Sequence, residues 1–542
     1  MTYNVDRRKF IKGAGAVGAT MMAPAALRAQ DASKTLVIAS PATPQGLDLE
    51  YDISLGSIDS AGALYDRLVA YKKIPDPNVP GVMREDIALH PEEPGGMALD
   101  GMLAEKWEMA PDGRTIVFHL REGVKSHWGN MLSPEDVKYS WVRKLKGKGS
   151  GAFFTTTMGI ESEDQIKVEG PHAVSFSLSK PNPLILKIHT NLQTGILDSK
   201  KLGEMVTADD PLASNFLKND SAGFGPYKVQ QIVRGQQAVF ARHTDYWGKA
   251  PFMDTVVMRE VPSSSSRLSL LQGGAVDIAQ FLSPREAIAL KGAANVAVDA
   301  VDSSYSLWVL LNAKMKPFDS IPVRQAMNYL VPREEIIQAV FYGMATKQTA
   351  VMPQSYPMVD HSFFVYDENV EKAKALLAEA GYADGFKMAL TYDAGSPVQE
   401  AMALIYQTSL RRAGIEAELE KLPAGVFYDA VAKRQKAALF YLDAPWTPDP
   451  GYATTLYFNS QSFVNYSNYE NPTVDELIAE GRVEVNDDER IKIFHDVQQT
   501  VMNDAPWGLV VYPKYIMTRK SNLAGFTYYT SNNLRFQDFY RS

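Results

Sequence analysis

Residues 437–452 read Ala-Ala-Leu-Phe-Tyr-Leu-Asp-Ala-Pro-Trp-Thr-Pro-Asp-Pro-Gly-Tyr, and this stretch decides how the chain is interpreted. Its first six residues form an apolar run, which is typical of a strand buried on both faces of a covered sheet. The prolines at positions 445, 448 and 450 cannot continue a central strand, so the chain must leave the sheet in a stiff loop. That loop carries Asp443, Trp446 and Asp449, and we expect it to contact a ligand.

The residues before this strand alternate between helical and extended patterns. Helices are predicted at 370–380, 398–413 and about 427–436, and strands at 387–392, 415–421 and 438–442. Strands that alternate with helices form a parallel, doubly wound sheet, in which ligands bind beyond the carboxyl ends of the strands. The loops 393–397 and 443–451 both follow such ends. The sequence therefore predicts that they line the same edge of the sheet.

Composition limits the class of protein. The chain has 542 residues, which predicts two or three domains, and its hydrophobic and charged fractions are those of a globular protein and not of a membrane-embedded one. The first thirty residues hold five basic side chains and one acid, so the net charge of −8 becomes −12 for the remainder. We therefore expect no nucleic-acid partner. The absence of cysteine excludes thiol catalysis, disulfides and a lipidated N-terminal cysteine.

The N-terminus has the pattern of an export signal. Residues 6–12 read Asp-Arg-Arg-Lys-Phe-Ile-Lys, and an uncharged run rich in glycine and alanine follows at 13–27. This run is too short and too weakly apolar for a membrane span. The paired arginines resemble a twin-arginine signal. We expect cleavage near Ala25 or Ala29, within the predicted signal 1–30, and release into a periplasm.

Several motifs, in order along the chain, resemble one known family. Residues 102–125 contain Ala-Glu-Lys-Trp-Glu and a Pro-Asp-Gly turn, and Ser133-Pro134-Glu135-Asp136 has the pattern of a helix start. Further matches are Gly-Phe-Gly-Pro-Tyr at 223–227, Tyr-Trp-Gly at 246–248, residues 267–278, 311–329 and 371–377. Together they resemble the extracytoplasmic solute-binding proteins of the dipeptide, oligopeptide and nickel class, family 5. The resemblance covers nearly the whole chain after the signal.

That resemblance implies an α/β fold, a two-lobed periplasmic binding protein (type II-like, cluster C) with an inserted domain and a hinge of crossing strands. The implied limits are 31–51, 191–301 and 513–542 for lobe I, 52–190 for the inserted domain and 302–512 for lobe II. The implied function is that of a monomeric carrier that closes on a small organic solute and delivers it to an ABC permease. No enzyme activity and no cofactor are expected.

The resemblance also gives two alternatives for the ligand. Peptide-binding members carry an arginine in the first loop for the peptide carboxylate, and here the loop 393–397 has no cation. In the second loop the peptide-binding members carry the motif Trp-x-x-Asp, and its Asp binds the peptide amine. A short spacer and then Asp-Pro follow this motif. One alignment makes Asp449 the amine anchor but shortens the spacer. The other alignment keeps the length of the spacer. It places Trp446 at the position of the amine-binding Asp and Asp443 at the position of the Trp in that motif. We prefer the second, in which both peptide anchors are missing.

The sequence therefore predicts a non-peptide solute, with Trp446 as a stacking wall and Asp443 or Asp449 bonding a polar or cationic group. The candidate ligand-binding residues are Trp446, Asp449, Asp443, Tyr441, Asp393, Ser396, Thr43, Gln45 and Tyr51. The histidines show no metal-binding spacing, and no nucleophile motif is present. A secreted glycosidase that uses paired carboxylates is the alternative from another class.

Overall fold

The structure, a computed structural model, describes residues 32–52, 54–93 and 96–542, so the predicted export signal lies outside the described residues. The strands of the described residues are β1 Thr35–Ser40, β2 Val69–Tyr71, β3 Lys73–Pro75, β4 Met83–Glu85, β5 Leu99–Gly101, β6 Ala104–Met109, β7 Thr115–Leu120, β8 Ile166–Val168, β9 Ala173–Ser177, β10 Tyr227–Val233, β11 Gln237–Arg242, β12 Thr255–Glu260, β13 Ile278–Ala279, β14 Val296–Val301, β15 Ser306–Leu311, β16 Ala345–Lys347, β17 Lys387–Asp393, β18 Glu416–Leu422, β19 Ala438–Asp443, β20 Trp507–Pro513, β21 Tyr515–Lys520, β22 Leu523–Ala524, β23 Thr527–Tyr528 and β24 Tyr540–Arg541.

The helices of the same residues are α1 Leu55–Leu64, α2 Pro134–Lys146, α3 Gly151–Met158, α4 Leu184–Lys187, α5 Ser199–Met205, α6 Ser214–Leu217, α7 Ser264–Gln272, α8 Pro284–Leu290, α9 Ile321–Tyr329, α10 Arg333–Ala339, α11 Val370–Glu379, α12 Pro397–Arg412, α13 Ala424–Ala432, α14 Pro450–Tyr457, α15 Pro472–Gly481 and α16 Asp487–Asp504. Helix α2 begins as the sequence predicts. Ser133 and Asp136 form a capping box, and Pro134 occupies the first turn.

Two large sheets organise two lobes. The lobe I sheet has the strand order β10-β11-β12-β1-β13-β21-β14, and the lobe II sheet has the order β16-β20-β15-β19-β17-β18. Lobe I thus collects strands from distant parts of the chain. In lobe II, β17 pairs in parallel with both β18 and β19, which confirms the predicted parallel edge. The neighbouring strand β15 pairs with β19 in the antiparallel direction, so the complete sheet is mixed.

The lobes are joined where strands cross from one sheet to the other. Strand β14 ends in lobe I at Val301, and β15 begins in lobe II at Ser306. Strand β20 ends in lobe II at Pro513, and β21 begins in lobe I at Tyr515. These short crossings form the hinge that was expected. The residue limits proposed above for the lobes and for the inserted domain stay a prediction.

A smaller body built on the sheet β6-β7-β9-β8 corresponds to the inserted domain. Its β6–β7 hairpin turns at the predicted Pro-Asp-Gly sequence. The core of this body contains Phe118 and Trp141 and continues into lobe II through Tyr356 and Tyr452. The inserted domain therefore packs against lobe II in this structure.

Two predicted boundaries near the opening stretch are wrong. The helix expected at about 427–436 is α13, which begins earlier and ends at Ala432, where Lys433 caps it before Arg434 adopts a positive φ. The loop expected to extend to residue 451 ends at Asp449, because Asp449 caps helix α14 and Pro450 occupies its first turn.

A buried histidine makes the inserted domain sensitive to acid. The His189 ring packs against Phe118, Trp141 and Phe176 at centroid distances of 4.7, 5.0 and 4.9 Å. Among the described residues its two buried nitrogens have no hydrogen-bond partner, and burial lowers its pKa to about 3. Because the unfolded chain binds the proton at about pH 6.5, stability is complete above that pH and falls as the solution is acidified below it.

We expect the free energy of unfolding to fall by about 2 kcal/mol more in the wild type than in His189→Phe between pH 6.5 and pH 5. Urea denaturation at the two pH values measures the difference. The control is His172→Gln, since the His172 side chain is exposed. An equal acid response in the wild type and His189→Phe would contradict the prediction.

Candidate functional site

The two loops predicted to share an edge do so. Strands β17 and β19 pair in parallel through Thr391 and Leu439, so the loops that follow them leave the sheet on the same side. In the first loop, the Gly395 N–H donates to Asp393 Oδ1 at 2.8 Å, and the Gln399 N–H donates to Ser396 Oγ at 3.3 Å. Asp393 and Ser396 therefore stabilise the start of α12, and Ser396 also borders the cavity described next.

A cavity of about 680 Å³ lies between the lobes beside the crossing strands. Lobe I contributes Pro41 and Phe281 to its lining, and the crossing segments contribute Tyr305 and Tyr515. Lobe II contributes Tyr428 together with the loop that contains Ser396. The lining is largely apolar and aromatic, which is the usual character of a small-molecule site.

Asp443 lies at the end of β19, directly opposite Ser306 on β15. The Ala444 N–H donates to Asp443 Oδ1 at 2.8 Å. The Tyr457 hydroxyl lies beside the carboxylate but makes no hydrogen bond of normal geometry. Burial raises the pKa of the Asp443 carboxyl, although the Ala444 N–H and the Tyr457 hydroxyl act in the opposite direction. The residue nevertheless keeps part of its surface exposed to solvent.

Tyr441 belongs to an aromatic wall next to Asp443. It pairs across the strands with Trp308, and their rings are 6.1 Å apart. Trp308 stacks on Trp507 at 4.0 Å with an interplanar angle of 5°. The Tyr457 ring meets Trp308 edge-on at 5.6 Å. Because alternate residues of a strand share a face, Tyr441 and Asp443 lie on the same side of the sheet.

Trp446 is half-buried and lies in a loop that is fixed on both sides. The Tyr356 hydroxyl donates to the Pro445 carbonyl, and Asn191 Nδ2 donates to Thr447 Oγ1 at 3.3 Å. Among the described residues, Trp446 has no ring contact and no hydrogen bond through its side chain. The loop is therefore fixed on both sides of Trp446, and part of the indole surface stays exposed.

Asp449 has a different role from the one predicted for a ligand contact. Its exposure is 0%, and it is bonded by Arg490 Nη1 at 2.9 Å, Arg490 Nη2 at 2.6 Å and Lys187 Nζ at 2.9 Å. Its Oδ1 also accepts from the Gly451 N–H at 2.8 Å. Burial alone would raise the pKa of this carboxyl, but Arg490 and Lys187 hold it well below its usual range. The carboxylate has no surface left for a solute, so its assignment as a ligand residue is corrected.

The residues expected on the opposing wall do not come together at Asp443. Thr43 is fully buried, and its hydroxyl donates to Glu260 Oε2 at 2.6 Å, so it is corrected to a structural residue. Gln45 is exposed and bonds the Thr43 carbonyl at 3.2 Å. Tyr51 is about half exposed, and its hydroxyl accepts from the Lys148 N–H at 3.3 Å at the edge of the inserted domain.

Across residues 32–52, 54–93 and 96–542, no group of three His, Cys, Asp or Glu side chains could hold a metal ion. In the same ranges no helix combines the length and the apolar character needed to cross a bilayer.

Comparison with known families decides the assignment. The family model described as bacterial extracellular solute-binding proteins, family 5 Middle, matches residues 98–465. The chain belongs to this family. Family 5 proteins are binding proteins that deliver ligands to ABC permeases, so this family 5 protein is a transport protein and not an enzyme. The glycosidase alternative is therefore wrong.

The relatives of this family 5 protein are similar over almost their entire lengths. The dipeptide-binding protein of Escherichia coli K12 is 25% identical over 522 residues, which cover 91% of this chain and 92% of the relative. The periplasmic binding protein DppA of Helicobacter pylori, solved with the peptide STSA, has a TM-score of 0.79 at 23% identity and 94% and 98% coverage. The binding protein AgaA of A. tumefacien R10, solved with agropinic acid, has a TM-score of 0.77 at 24% identity and 94% and 99% coverage. The two structures confirm the two-lobed fold.

Sequence reasoning missed two neighbours of Asp443 in this family 5 protein, Ser306 and Tyr457. Ser306 opens the run Ser-Leu-Trp-Val-Leu-Leu, which could have been predicted as a buried strand from its apolar character. Its position opposite Asp443 could not, because pairing between distant strands is not encoded locally. Tyr457 ends α14, and the Asp-Pro signal for that helix was present but was interpreted as a loop.

Proposed function

We propose that this chain is exported to the periplasm, where it captures a small organic solute other than an ordinary free peptide and delivers it to an ABC permease. The solute binds between the lobes, in contact with Trp446 and Asp443. The protein acts as a monomer, and the lobes close about the crossing strands.

The missing peptide anchors carry this proposal. A free peptide brings an ammonium and a carboxylate into the cleft, and each is costly to bury without a counter-charge. The loop 393–397 has no cation. Asp449, the residue that the alternative alignment would use for the ammonium, is enclosed by Arg490 and Lys187. This favours the alignment in which Trp446 stands at the amine-anchor position.

The fold accommodates ligands that are not peptides. The structure of AgaA, which shares the fold, was solved with agropinic acid. DppA of Helicobacter pylori, which also shares the fold, was solved with the peptide STSA. The ligand is therefore decided by the side chains at the cleft. In this chain the proposed contacts are Trp446 and Asp443, and the cavity between the lobes is lined by tyrosines together with Arg267 and Lys514.

Calorimetry with pools of di- and tripeptides should show no binding below 1 μM, because the loop 393–397 offers the peptide carboxylate no cation. The dipeptide-binding protein of Escherichia coli serves as the positive control for the pools. Sub-micromolar peptide binding by this chain would restore the peptide alternative. Solution scattering should show compaction with the solute that co-purifies from the native host, since a ligand that touches both lobes stabilises the closed state.

A further inference from the structure

The carboxylates of Asp443 and Asp449 lie six residues apart, and within the described residues only Asp449 is paired with cations. Asp449 is paired with Arg490 and Lys187. Within the described ranges, Asp443 forms no ion pair, and the groups that lower its pKa are the Ala444 N–H and the Tyr457 hydroxyl, neither of which is a cation. A carboxylate in such surroundings is costly unless a positive charge comes close to it. No cation of the described chain supplies that charge.

Three tyrosines lie beside Asp443 or pack on its neighbours. Tyr441 is on the same strand face, the Tyr457 hydroxyl is next to the carboxylate, and Tyr466 packs on Tyr441. Two of these rings, Tyr441 and Tyr466, meet edge-on at 5.4 Å. The negative faces of aromatic rings attract cations, and a carboxylate within an aromatic cage strengthens that attraction. We call Asp443, Tyr441, Tyr457 and Tyr466 the tyrosine pocket.

Polar groups beside the tyrosine pocket lack partners. Within the described residues, Ser306 Oγ and Trp308 Nε1 form no hydrogen bond, and their residues are 2% and 1% exposed. Ser306 is directly opposite Asp443 in the sheet, and the rings of Trp308 and Tyr457 touch. Buried polar groups are normally satisfied, so a cluster of unsatisfied groups around one carboxylate indicates a place where a ligand supplies the bonds.

We infer that the solute carries a cationic group, an ammonium or a guanidinium, which the Asp443 carboxylate binds inside the tyrosine pocket. This inference rests on the proposed function and names the chemical class of its solute. The cation supplies the missing counter-charge, the tyrosine faces enclose it, and Ser306 and Tyr457 bond the polar atoms next to it. Trp446 then contacts the remainder of the solute.

The first test uses the solute that co-purifies from the native host. It is released, identified by mass spectrometry and titrated by calorimetry into the wild type, Asp443→Asn and the control Asp429→Asn, whose carboxylate lies in an exposed pair with Lys433. We expect the identified solute to carry a cationic group. Its affinity for Asp443→Asn should be at least 30-fold lower than for the wild type, and its affinity for Asp429→Asn should be within twofold of the wild-type value. A solute without such a group, or a loss below threefold in Asp443→Asn, would overturn the inference and leave the carrier function intact. A free peptide that depends on Asp443 would instead overturn the proposed function alone.

The second test needs no solute. Ligand-free protein is prepared by unfolding, dialysis and refolding, and its thermal unfolding is followed at pH 8. Asparagine keeps the oxygen that accepts from the Ala444 N–H and removes the uncompensated charge, so Asp443→Asn should melt about 2 °C or more above the wild type. An unchanged or lower melting temperature would show that the charge is compensated within the protein, and the inference would fail.

Discussion

Replacement of Asp449 by alanine is expected to lower the free energy of unfolding by about 3–5 kcal/mol. The substitution leaves Arg490 and Lys187 buried without their counter-charge, since their side chains are only 1% and 4% exposed. It also removes the cap of α14, which contributes about 1 kcal/mol in typical helices. Urea denaturation followed by circular dichroism measures the loss.

Three controls separate the causes of that loss. Asp449→Asn keeps a capping oxygen and should still lose most of the stability, because the charge is the larger contribution. Lys187→Met leaves the two Arg490 hydrogen bonds in place and should cost less. Asp429→Ala breaks an exposed pair with Lys433 and should cost below about 1 kcal/mol. If Asp449→Ala were as stable as Asp429→Ala, the buried network would not be structural, and Asp449 would again be a candidate peptide anchor.

The parallel part of lobe II could be predicted because its signals are local. The helix predicted at 370–380 is α11, and the alternation that follows it contains β17, α12, β18 and β19. Apolar runs define these strands, and glycines or prolines mark the ends of the helices, so each element is encoded in its own residues. The common edge of the loops then follows from the topology of parallel strands.

The role of Asp449 could not be predicted in the same way. Its partners are 41 residues away at Arg490 and 262 residues away at Lys187. The pairing of charges across such distances depends on the complete fold, and nothing near Asp449 in the sequence names its partners. Asp443 shows the converse. Asp443 is a candidate ligand residue because no cation among the described residues lies beside it. The neighbours of Asp443 come from distant parts of the chain, so this lack of a cation can be recognised only in the structure.

Lobe II therefore contains two carboxylates with different surroundings, Asp449 and Asp443. Asp449 fixes the start of α14 and connects lobe II to the inserted domain through Lys187. Asp443 keeps part of its surface exposed and lacks a counter-charge in the described chain. These contacts of Asp449 fix the end of the loop 444–449. A rigid loop reduces the conformational entropy lost when a solute binds.

Trp446→Ala is expected to weaken binding of the co-purified solute by about 30- to 1000-fold, or about 2–4 kcal/mol. The indole is half-buried in a loop held by Tyr356 and Asn191, and its ring has no aromatic partner within the described part of the chain. The loop that carries this large ring is already fixed, so binding costs little further backbone entropy. Most of the contact between the ring and a solute therefore adds to affinity.

Because the Trp446 ring has no aromatic partner among the described residues, two measurements can distinguish a binding role of this residue from a packing role. If the indole contacts the solute, Trp446→Ala should change the melting temperature of the ligand-free protein little, while calorimetry shows the loss of affinity. Trp128→Ala is the matched control, because Trp128 is also partly exposed, but its ring contacts Phe216 and Lys201, which lie within the predicted limits of lobe I. It should leave affinity within twofold. A Trp446→Ala protein that is destabilised yet binds the solute normally would identify the indole as packing beneath the proline-rich loop.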